Sequence, residues 1–350
     1  MPVPGLLRDL LRAAGPSGHE EPAAAVWREA AREFATVWSD TLGTSFARVP
    51  ATGGGEAPAL ALIGHIDEIG VVVTHIESTG LLAFATLGGI DPEMLNGQRV
   101  VLAGSAGPVP GLIVPRVRRE RGERSALKRD DLHIDIGATD ADDAASLVRA
   151  GDAGVWVGEP IELPNGRIAS KALDDRLGAY AVLEAARRLA EEGGAAFDVV
   201  AVASVQEETG HGGARAAAFA LDPALAIAVD VTYSTDVPGE SASRAGRIEL
   251  GTGGAIAVGP VVNRGVSDLL LATAAAEGIA HTTEVLSGRT HTDADDVFTS
   301  RGGVPTGILS IPVRYMHSPC EVAALEDLEA VISLLVASGK RLTRHATFLR

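Results

Sequence analysis

The sequence predicts an α/β fold: a sheet covered by helices on both faces, with a smaller β-rich domain inserted into the chain. Two observations lead to this prediction. After residue 170, helical periodicity alternates repeatedly with apolar runs of strand length, which is typical of a mostly parallel sheet between helices. From residue 70 to residue 162, short β-branched runs are separated by Gly, Pro and charge clusters, which is typical of a small β domain.

The β-rich block divides the larger domain into two stretches of sequence. We predict an α/β domain formed by residues 1–66 and 163–350, and an inserted domain formed by residues 67–162. A chain of 350 residues is long enough for one large core and a second, smaller domain.

The elements of the first half follow from local patterns. Helical periodicity marks residues 20–34, and Pro22 suits the first turn of that helix. Its predicted inner positions are Ala25, Val26, Ala30 and Phe34. The apolar run at residues 59–63 predicts a buried strand. The inserted block contains predicted strands at residues 71–73, 100–102, 112–114 and 155–157, and one helix at 140–149 with Thr139 as its N-cap.

The second half predicts helices and strands in alternation. The predicted helices are residues 175–192, 214–220 and 267–277, and the predicted strands are residues 199–205, 224–229 and 306–311. A last helix is expected to bury Leu325, Leu328, Ile332 and Leu335.

Composition and charge argue against several classes of protein. The net charge of −16 has the wrong sign for neutralising a phosphate backbone, and an aromatic content of 4% leaves few platforms for stacking bases. No apolar run reaches the ~18 residues of a membrane span, and the N-terminus lacks a secretory apolar region. The single cysteine, Cys320, cannot form an internal disulfide. We therefore expect a soluble, cytoplasmic protein with no nucleic-acid or membrane partner.

Acidic residues and histidines follow nearly every predicted apolar strand. They are His65 and Asp67, Glu207 and Glu208, Asp230, and His317. In open α/β sheets, ligands bind at the carboxyl ends of the strands. We therefore expect these side chains to converge in one crevice.

Two of these motifs have ordinary structural alternatives when they are taken alone. His65 and Asp67 could be a hydrogen-bonded pair without a ligand, although their position directly after a buried strand favours a site. Asp174 and Asp175 open a helix, where carboxylates also serve as caps.

The acids after the next two strands also have structural alternatives. Glu207 and Glu208 could form a solvated strand end, but adjacent carboxylates resist burial unless a cation or proton compensates them. Asp230 could be a turn residue or an N-cap.

Two imidazoles and three carboxylates could together hold a pair of metal ions. The candidate ligands are His65, Asp174, Glu208, Asp230 and His317. With one bridging carboxylate, each ion would receive a nitrogen and two oxygens, and ions ~3.5–4 Å apart can polarise a carbonyl and lower the pKa of a shared water. Nitrogen and oxygen ligands without thiolate suit zinc, which we expect first, and also cobalt or manganese. We therefore expect two divalent ions per subunit.

Several strings of the sequence resemble those of metallopeptidase family forty-two, the TET-type and glutamyl aminopeptidases with two co-catalytic metals. They are GHIDEIG, SKALDDRLG, VQEETG, AVDVT and RYMHSPCE, with GPSGHE near the N-terminus and IDIGA in the inserted block. The resemblance covers nearly the whole chain in matching order. It implies a phosphorylase/hydrolase-like mixed sheet sandwiched by helices and a barrel-like dimerisation domain at residues 67–162. It also implies assembly of dimers into a hollow tetrahedral dodecamer that trims peptides.

The resemblance also implies a role for each candidate ligand. His65, Asp174 and Asp230 would hold one metal, and Asp174, Glu208 and His317 would hold the other. Asp174 would bridge the two ions.

The resemblance implies roles for two further residues, and two segments of the sequence depart from the pattern of the family. Glu207 would be the general base, and Asp67 would be the carboxylate behind His65. The segment at residues 209–213 carries His211 where the family commonly has an apolar residue, and residues 288–295 replace a Gly-rich loop. Because both segments are expected to border the substrate, His211, His291 and Asp293 are candidate substrate-binding residues.

Our main hypothesis is a metal-dependent aminopeptidase that acts on peptides with a free N-terminus. Glu207 would take a proton from a water shared by the metals, the resulting hydroxide would attack the first peptide carbonyl, and Glu207 would return the proton to the leaving amine. Two alternatives stay open. One is an endoglucanase-like glycosidase with paired carboxylates, and the other is a non-catalytic assembly protein with the same fold.

Overall fold

The computed structural model describes residues 2–54, 56–115, 126–243 and 245–349. Its strands are β1 (Thr36–Ser39), β2 (Ser45–Val49), β3 (Ala59–His65), β4 (Gly70–Ile76), β5 (Leu82–Leu87), β6 (Arg99–Gly104), β7 (Gly107–Pro115), β8 (Leu132–Asp135), β9 (Ala153–Trp156), β10 (Ile161–Leu163), β11 (Arg167–Ser170), β12 (Asp198–Ser204), β13 (Leu225–Tyr233), β14 (Gly254–Val258), β15 (His281–Val285), β16 (Thr306–Arg314) and β17 (Glu321–Ala324). Its α-helices are α1 (Gly5–Arg12), α2 (Glu21–Ala31), α3 (Pro92–Leu95), α4 (Ala141–Leu147), α5 (Leu173–Glu191), α6 (Glu207–Gly210), α7 (Gly212–Leu221), α8 (Arg264–Glu277), α9 (Ala294–Val297) and α10 (Leu325–Arg341).

The large sheet is mixed, with a parallel centre. Its strand order is β1-β2-β12-β3-β13-β16-β17-β11-β10, and β14 and β15 branch from β16. The central strands β12, β3, β13 and β16 pair in parallel. The flanking strands β1, β2, β17, β11 and β10 pair antiparallel. The predicted helix-and-strand alternation thus describes the centre of the sheet. The carboxyl ends of its parallel strands lie at one edge.

Helices cover both faces of this sheet, as the sequence predicts. Helices α5, α8 and α10 pack on one face in a core that includes Leu225, Ile227 and Val229 of β13. Helices α7 and α9 cover the other face, which alternate residues such as Ala226 reach. The two faces receive alternate residues because successive side chains of a strand point to opposite sides.

A glycine lets α5 approach the strand that carries the first predicted ligand. A Cβ atom at Gly64 would lie 2.5 Å from the backbone carbon of Gly178 on α5. Any larger residue at position 64 would therefore push α5 away from β3. The start of α5, which carries Asp174, consequently lies beside His65 at the end of β3.

The inserted block forms a closed barrel of antiparallel strands in the order β4-β5-β8-β7-β6-β9. It has its own core, which includes Val71, Leu82, Val100, Ile113 and Trp156. The barrel strands begin shortly after β3 and end with β9, before β10 returns to the large sheet. The domain limits at residues 67 and 162 stay a proposal.

Three local predictions differ from the structure. In α2 the inner face consists of Ala23, Ala24, Trp27 and Ala31, and Ala25 is exposed. The orientation follows Trp27, whose indole is buried and donates a hydrogen bond to the carbonyl of Ala179 on α5. The strands β5 and β8 lie in segments for which no strand was predicted. Helix α4 is capped by the Asp140 side chain rather than by Thr139.

The prediction for the buried face of the last helix is confirmed. Leu325, Leu328, Ile332 and Leu335 are all buried along α10. Among the described residues, no helix combines the length and the apolar composition needed to cross a membrane.

Candidate metal centre

The predicted metal ligands meet at the carboxyl edge of the parallel strands. His65 is the last residue of β3, and Asp174 lies at the start of α5. Glu208 lies in α6, directly after β12, and His317 follows β16. Asp230 lies within β13 rather than after it, because the pairing of β13 with β16 continues beyond this residue. The fold thus brings the five side chains to one place.

Asp174 contacts both histidines of the cluster. Its Oδ1 atom lies 3.1 Å from His65 Nε2, and its Oδ2 atom lies 3.2 Å from His317 Nε2. The carboxylate of Asp174 therefore lies between the two histidines, with one oxygen toward each, as expected for a bridging ligand.

Each histidine also has a second carboxylate near it. His65 Nε2 lies 3.9 Å from Asp230 Oδ1, and His317 Nε2 lies 3.7 Å from Glu208 Oε2. Each half of the cluster thus contains one imidazole, one carboxylate of its own and the carboxylate of Asp174.

The cluster contains three groups of possible ligands, and within each group the ligand atoms lie within 4.8 Å of one another. Two of them, His65 with Asp174 and Asp230, and Asp174 with Glu208 and His317, are the sets that the motifs imply. The third group combines His65 with Glu207 and Glu208.

The donor atoms fit divalent cations. Imidazole nitrogens and carboxylate oxygens without a thiolate are suitable ligands for zinc, cobalt and manganese. The Oε1 atom of Glu208 is buried and has no hydrogen-bond partner within the described residues. Because a buried carboxylate oxygen without a partner is costly, a ligand at this position would stabilise it.

Asp67 holds the two glutamates in place. Its carboxylate accepts hydrogen bonds from the backbone N–H groups of Glu207 and Glu208, both at 3.1 Å. Its Oδ1 atom also lies 3.4 Å from His65 Nδ1, and this ring nitrogen lies 3.2 Å from the Asp67 carbonyl oxygen. Asp67 therefore orients the ring of His65 and the start of α6 together.

Asp175 and Glu321 support the cluster, although neither was among the predicted site residues. The Asp175 carboxylate caps α5 at Gly178 and accepts the backbone N–H of His65. The Glu321 carboxylate accepts the backbone N–H groups of Asp174 and His317 at 3.1 and 3.0 Å. The only signal for Glu321 was its place in the string RYMHSPCE, and the capping alternative for the Asp pair applies to Asp175.

The crowding of buried acids changes their protonation. Burial raises the pKa of Glu208, and the nearby Asp174 carboxylate adds to this effect. Burial and the Asp175 carboxylate raise the pKa of Asp230. Burial opposes ionisation of Asp174 too, but hydrogen bonds with His317 and His65 hold its pKa below the ordinary value.

Glu207 faces a hydrogen-bonded chain of side chains that the sequence did not reveal. His211 Nε2 lies 3.2 Å from Glu207 Oε1, and its other ring nitrogen lies 3.0 Å from Asp296 Oδ2. Arg215 donates two hydrogen bonds to the other oxygen of Asp296. The hydrogen bond with Glu207 raises the pKa of His211 to about 9. This places a positive charge beside Glu207 at neutral pH.

A cavity of about 480 Å³ opens beside the cluster. Glu207, His211 and His291 are among the residues that line it. Asp293 does not line this cavity; its side chain is buried and accepts a hydrogen bond from Ser204.

The barrel contributes to the wall of the cluster through two glycines after β5. A Cβ atom at Gly88, whose φ is +80°, would lie 2.9 Å from Glu208 Oε2 and 2.5 Å from a methyl group of Ile69. A Cβ atom at Gly89 would lie 3.5 Å from His317 Nδ1. The inserted domain therefore contacts two of the candidate ligands.

A family model and a relative each match most of this chain. The family model described as M42 glutamyl aminopeptidase matches residues 47–334. A lysyl aminopeptidase of Pyrococcus furiosus is 35% identical over 344 residues, which cover 95% of each chain.

Solved structures show the same fold. A TET aminopeptidase from a marine-sediment Thaumarchaeota archaeon superposes with a TM-score of 0.91 at 32% identity, over 97% of this chain and 96% of that one. The TET1 peptidase of Pyrococcus horikoshii, whose description states that it can assemble into a tetrahedron or a large octahedral shell, has a TM-score of 0.85 at 29% identity, with 96% and 99% coverage. A structure described as an endoglucanase of Thermotoga maritima has a TM-score of 0.76 at 28% identity, with 95% and 96% coverage.

The fold and the comparisons together define a peptide hydrolase. The chain belongs to the M42 glutamyl aminopeptidase family, whose members are metal-dependent.

Proposed function

We propose that this protein is an aminopeptidase that uses two divalent metal ions per subunit, zinc first and cobalt or manganese as alternatives. The observation that carries the proposal is the position of Asp174 between two histidines, each with a further carboxylate beside it. In this arrangement His65, Asp174 and Asp230 would hold one ion, and Asp174, Glu208 and His317 would hold the other. When bound, such a pair of ions polarises a substrate carbonyl and lowers the pKa of a water molecule.

Glu207 is the general base in this proposal. Its carboxylate lines the cavity, and its Oε2 atom lies 3.8 Å from His65 Nε2. It takes a proton from the attacking water and delivers it to the amine nitrogen as the peptide bond breaks. His211 holds the other oxygen of Glu207, and so keeps the carboxylate pointed into the cavity.

The charge of the cavity favours a free N-terminus. Carboxylates of Asp174, Glu207, Glu208 and Asp230 line it, and among the described residues no Lys or Arg does. An α-ammonium group can pair with a cavity carboxylate that holds no metal, because low-dielectric walls strengthen the field of that carboxylate.

We also propose that the chain assembles as dimers that build a dodecamer. The support is the description of the similar TET1 peptidase of Pyrococcus horikoshii, which forms a tetrahedron or an octahedral shell. Closed symmetry of this kind is common among homo-oligomers.

Replacement of Glu207 tests the assignment of the base. Glu207→Gln keeps the shape of the side chain but removes its basicity, so kcat on aminoacyl p-nitroanilides should fall about 10²- to 10⁴-fold. The metal content, measured by elemental analysis after gel filtration, should match that of the wild type. A variant with near-normal kcat would refute the role of Glu207.

Metal removal tests the mechanism as a whole. Exhaustive chelation should abolish hydrolysis, and addition of zinc, cobalt or manganese to separate aliquots should restore it. Cellulose oligomers serve as the second substrate in every aliquot. Hydrolysis of these oligomers that survives chelation would favour a glycosidase, and a protein that binds no metal and hydrolyses neither substrate would be an assembly protein.

A further inference from the structure

A buried glutamate lies in the cavity, outside the metal cluster. Glu284 belongs to β15 and lines the cavity, with only 8% of its surface exposed. The next residue, Val285, is 53% exposed. This reverses the usual preference, in which valine is buried and glutamate is in water. A residue with a purely structural role at this position would be expected to be apolar.

The carboxylate of Glu284 accepts hydrogen bonds from two hydroxyl groups. Its Oε1 atom accepts a hydrogen bond from Thr232 Oγ1 at 2.7 Å, and its Oε2 atom accepts one from Ser310 Oγ at 3.3 Å. Among the described residues, no Lys, Arg or His forms an ion pair with it within 4.0 Å. Each carboxylate oxygen can accept more than one hydrogen bond, so acceptor capacity remains. Burial raises the pKa of Glu284, and a cation placed in the cavity would offset the cost of its charge.

Glu284 binds two residues that neighbour Asp230, one of the candidate ligands. Thr232, its first partner, is two residues from Asp230 on β13, so the two side chains leave the same face of the strand about 7 Å apart. Ser310, its second partner, is paired with Asp230 in the neighbouring strand. The four-carbon stem of a lysine carries its ammonium about 6 Å from the Cα atom.

Apolar side chains also line the cavity. Leu286 and Ile308 lie among its lining residues, together with Glu284. Apolar side chains and the Glu284 carboxylate in one cavity match a side chain that has an apolar stem and a cationic tip.

We propose that Glu284 selects substrates whose N-terminal residue has a cationic side chain, lysine above all. The inference rests on the proposed aminopeptidase function, because it assigns the pocket for the first residue of the peptide. The α-ammonium group and the first peptide bond lie at the metal cluster, and the side chain extends toward Thr232 and Ser310. An N-terminal glutamate would bring a second carboxylate against Glu284 and would be disfavoured.

A structural role is the competing explanation. Through its two hydrogen bonds Glu284 connects β15 with β13 and β16, so its loss could loosen this part of the sheet. Loosening would reduce activity on every substrate and lower the thermal midpoint, whereas loss of a specificity contact would reduce activity only on cationic substrates.

Paired substrates test the proposal. Lysyl and norleucyl p-nitroanilides share the four-carbon stem and differ by the ammonium group, so the wild type should show a kcat/KM for the lysyl substrate about 10- to 100-fold higher. Glu284→Gln keeps an acceptor for the hydroxyls but removes the charge. It should reduce this preference to less than about threefold, almost entirely by lowering kcat/KM for the lysyl substrate. It should also increase the rate on a glutamyl substrate relative to the lysyl one.

A matched control is Glu33→Gln, which removes one negative charge from an exposed site outside the cavity. It should leave the ratio of the two rates unchanged. A wild type that cleaves the norleucyl substrate as well as the lysyl one would overturn the inference and leave the aminopeptidase function intact. An equal loss on both substrates in Glu284→Gln, with a lowered thermal midpoint, would assign Glu284 to structure and overturn it too. If the wild type cleaves no aminoacyl substrate after metal addition, the proposed function fails first.

Discussion

At the scale of single residues, Glu207 and its neighbours form the least expected part of the site. Glu207 was predicted from its place after a buried strand, but its contact with His211, and through it with Asp296, depends on folding of distant segments. His211 has a positive φ of 56° and lies between α6 and α7. The local conformation thus turns this side chain back toward the start of α6.

His211 should affect turnover without affecting metal binding. His211→Ala removes the hydrogen bond that holds Glu207, and a bond to a charged group contributes about 1.5–3 kcal/mol, so kcat should fall at least about tenfold. KM and metal content should change little. His211→Gln, which offers an amide N–H, should recover part of kcat; equal kcat in the wild type and His211→Ala would show that Glu207 needs no such support.

At the scale of elements, the segment after β13 is fastened to the end of β16 by an ion pair. Arg314 donates to both carboxylate oxygens of Asp236, and Ser234 donates to the same carboxylate. The hydrogen bond from Arg314 is the largest cause that lowers the pKa of Asp236 to about 2. Since β16 leads to His317, this pair steadies the segment that carries a candidate ligand.

The ion pair predicts a pH dependence of stability. The pKa of Asp236 is lower in the folded state than its ordinary value of 3.8, so the pair stabilises the fold above about pH 4 and loses its effect as the pH falls toward 2. Asp236→Asn should cost at most about 1 kcal/mol at pH 7, because the pair is partly exposed and screened by solvent.

Urea titrations of the wild type and Asp236→Asn between pH 7 and pH 2.5 measure this dependence. The difference between the two proteins should shrink as the pH falls below 4. A difference that stays constant over this range would mean that the charge of Asp236 does not contribute.

The elements also show what the sequence could predict. The strand ends that carry His65 and Glu208 could be located, because apolar runs and the acids after them are local patterns. The orientation of α2 could not, because the burial of Trp27 depends on a contact with α5. Glu284 went unnoticed because the string HTTEV does not show which side of this strand faces a cavity.

At the scale of the whole molecule, a buried charge cluster joins the N-terminal segment, the entrance to the barrel and the start of α5. Glu68 forms ion pairs with Lys171 at 2.6 Å and with Arg176 at 3.3 Å, and all three side chains are almost fully buried. Glu68 also accepts the backbone N–H of Gly15, and Arg176 donates to the carbonyl of Ala13. The cluster therefore connects parts of the chain that are far apart in sequence.

Loss of the acid from this cluster should be strongly destabilising. Glu68→Gln removes the carboxylate that forms the ion pairs of two buried cations, and breaking a buried pair in this way costs about 3–5 kcal/mol. The urea midpoint at fixed protein concentration should fall accordingly. Glu29→Gln, which breaks the exposed pair with Arg32, should change stability by no more than about 0.5 kcal/mol. Similar small shifts in both variants would contradict the prediction.

The glycines after β5 have a consequence for how this protein can vary. Since a methyl group at position 88 would meet Glu208, even a conservative replacement in the barrel would displace a carboxylate that belongs to the other domain. The insertion thus borders the candidate ligands, and an exchange of barrels between relatives would have to preserve the shape of this single turn. Gly88→Ala adds only one methyl group and removes no candidate ligand, yet it would displace the Glu208 carboxylate.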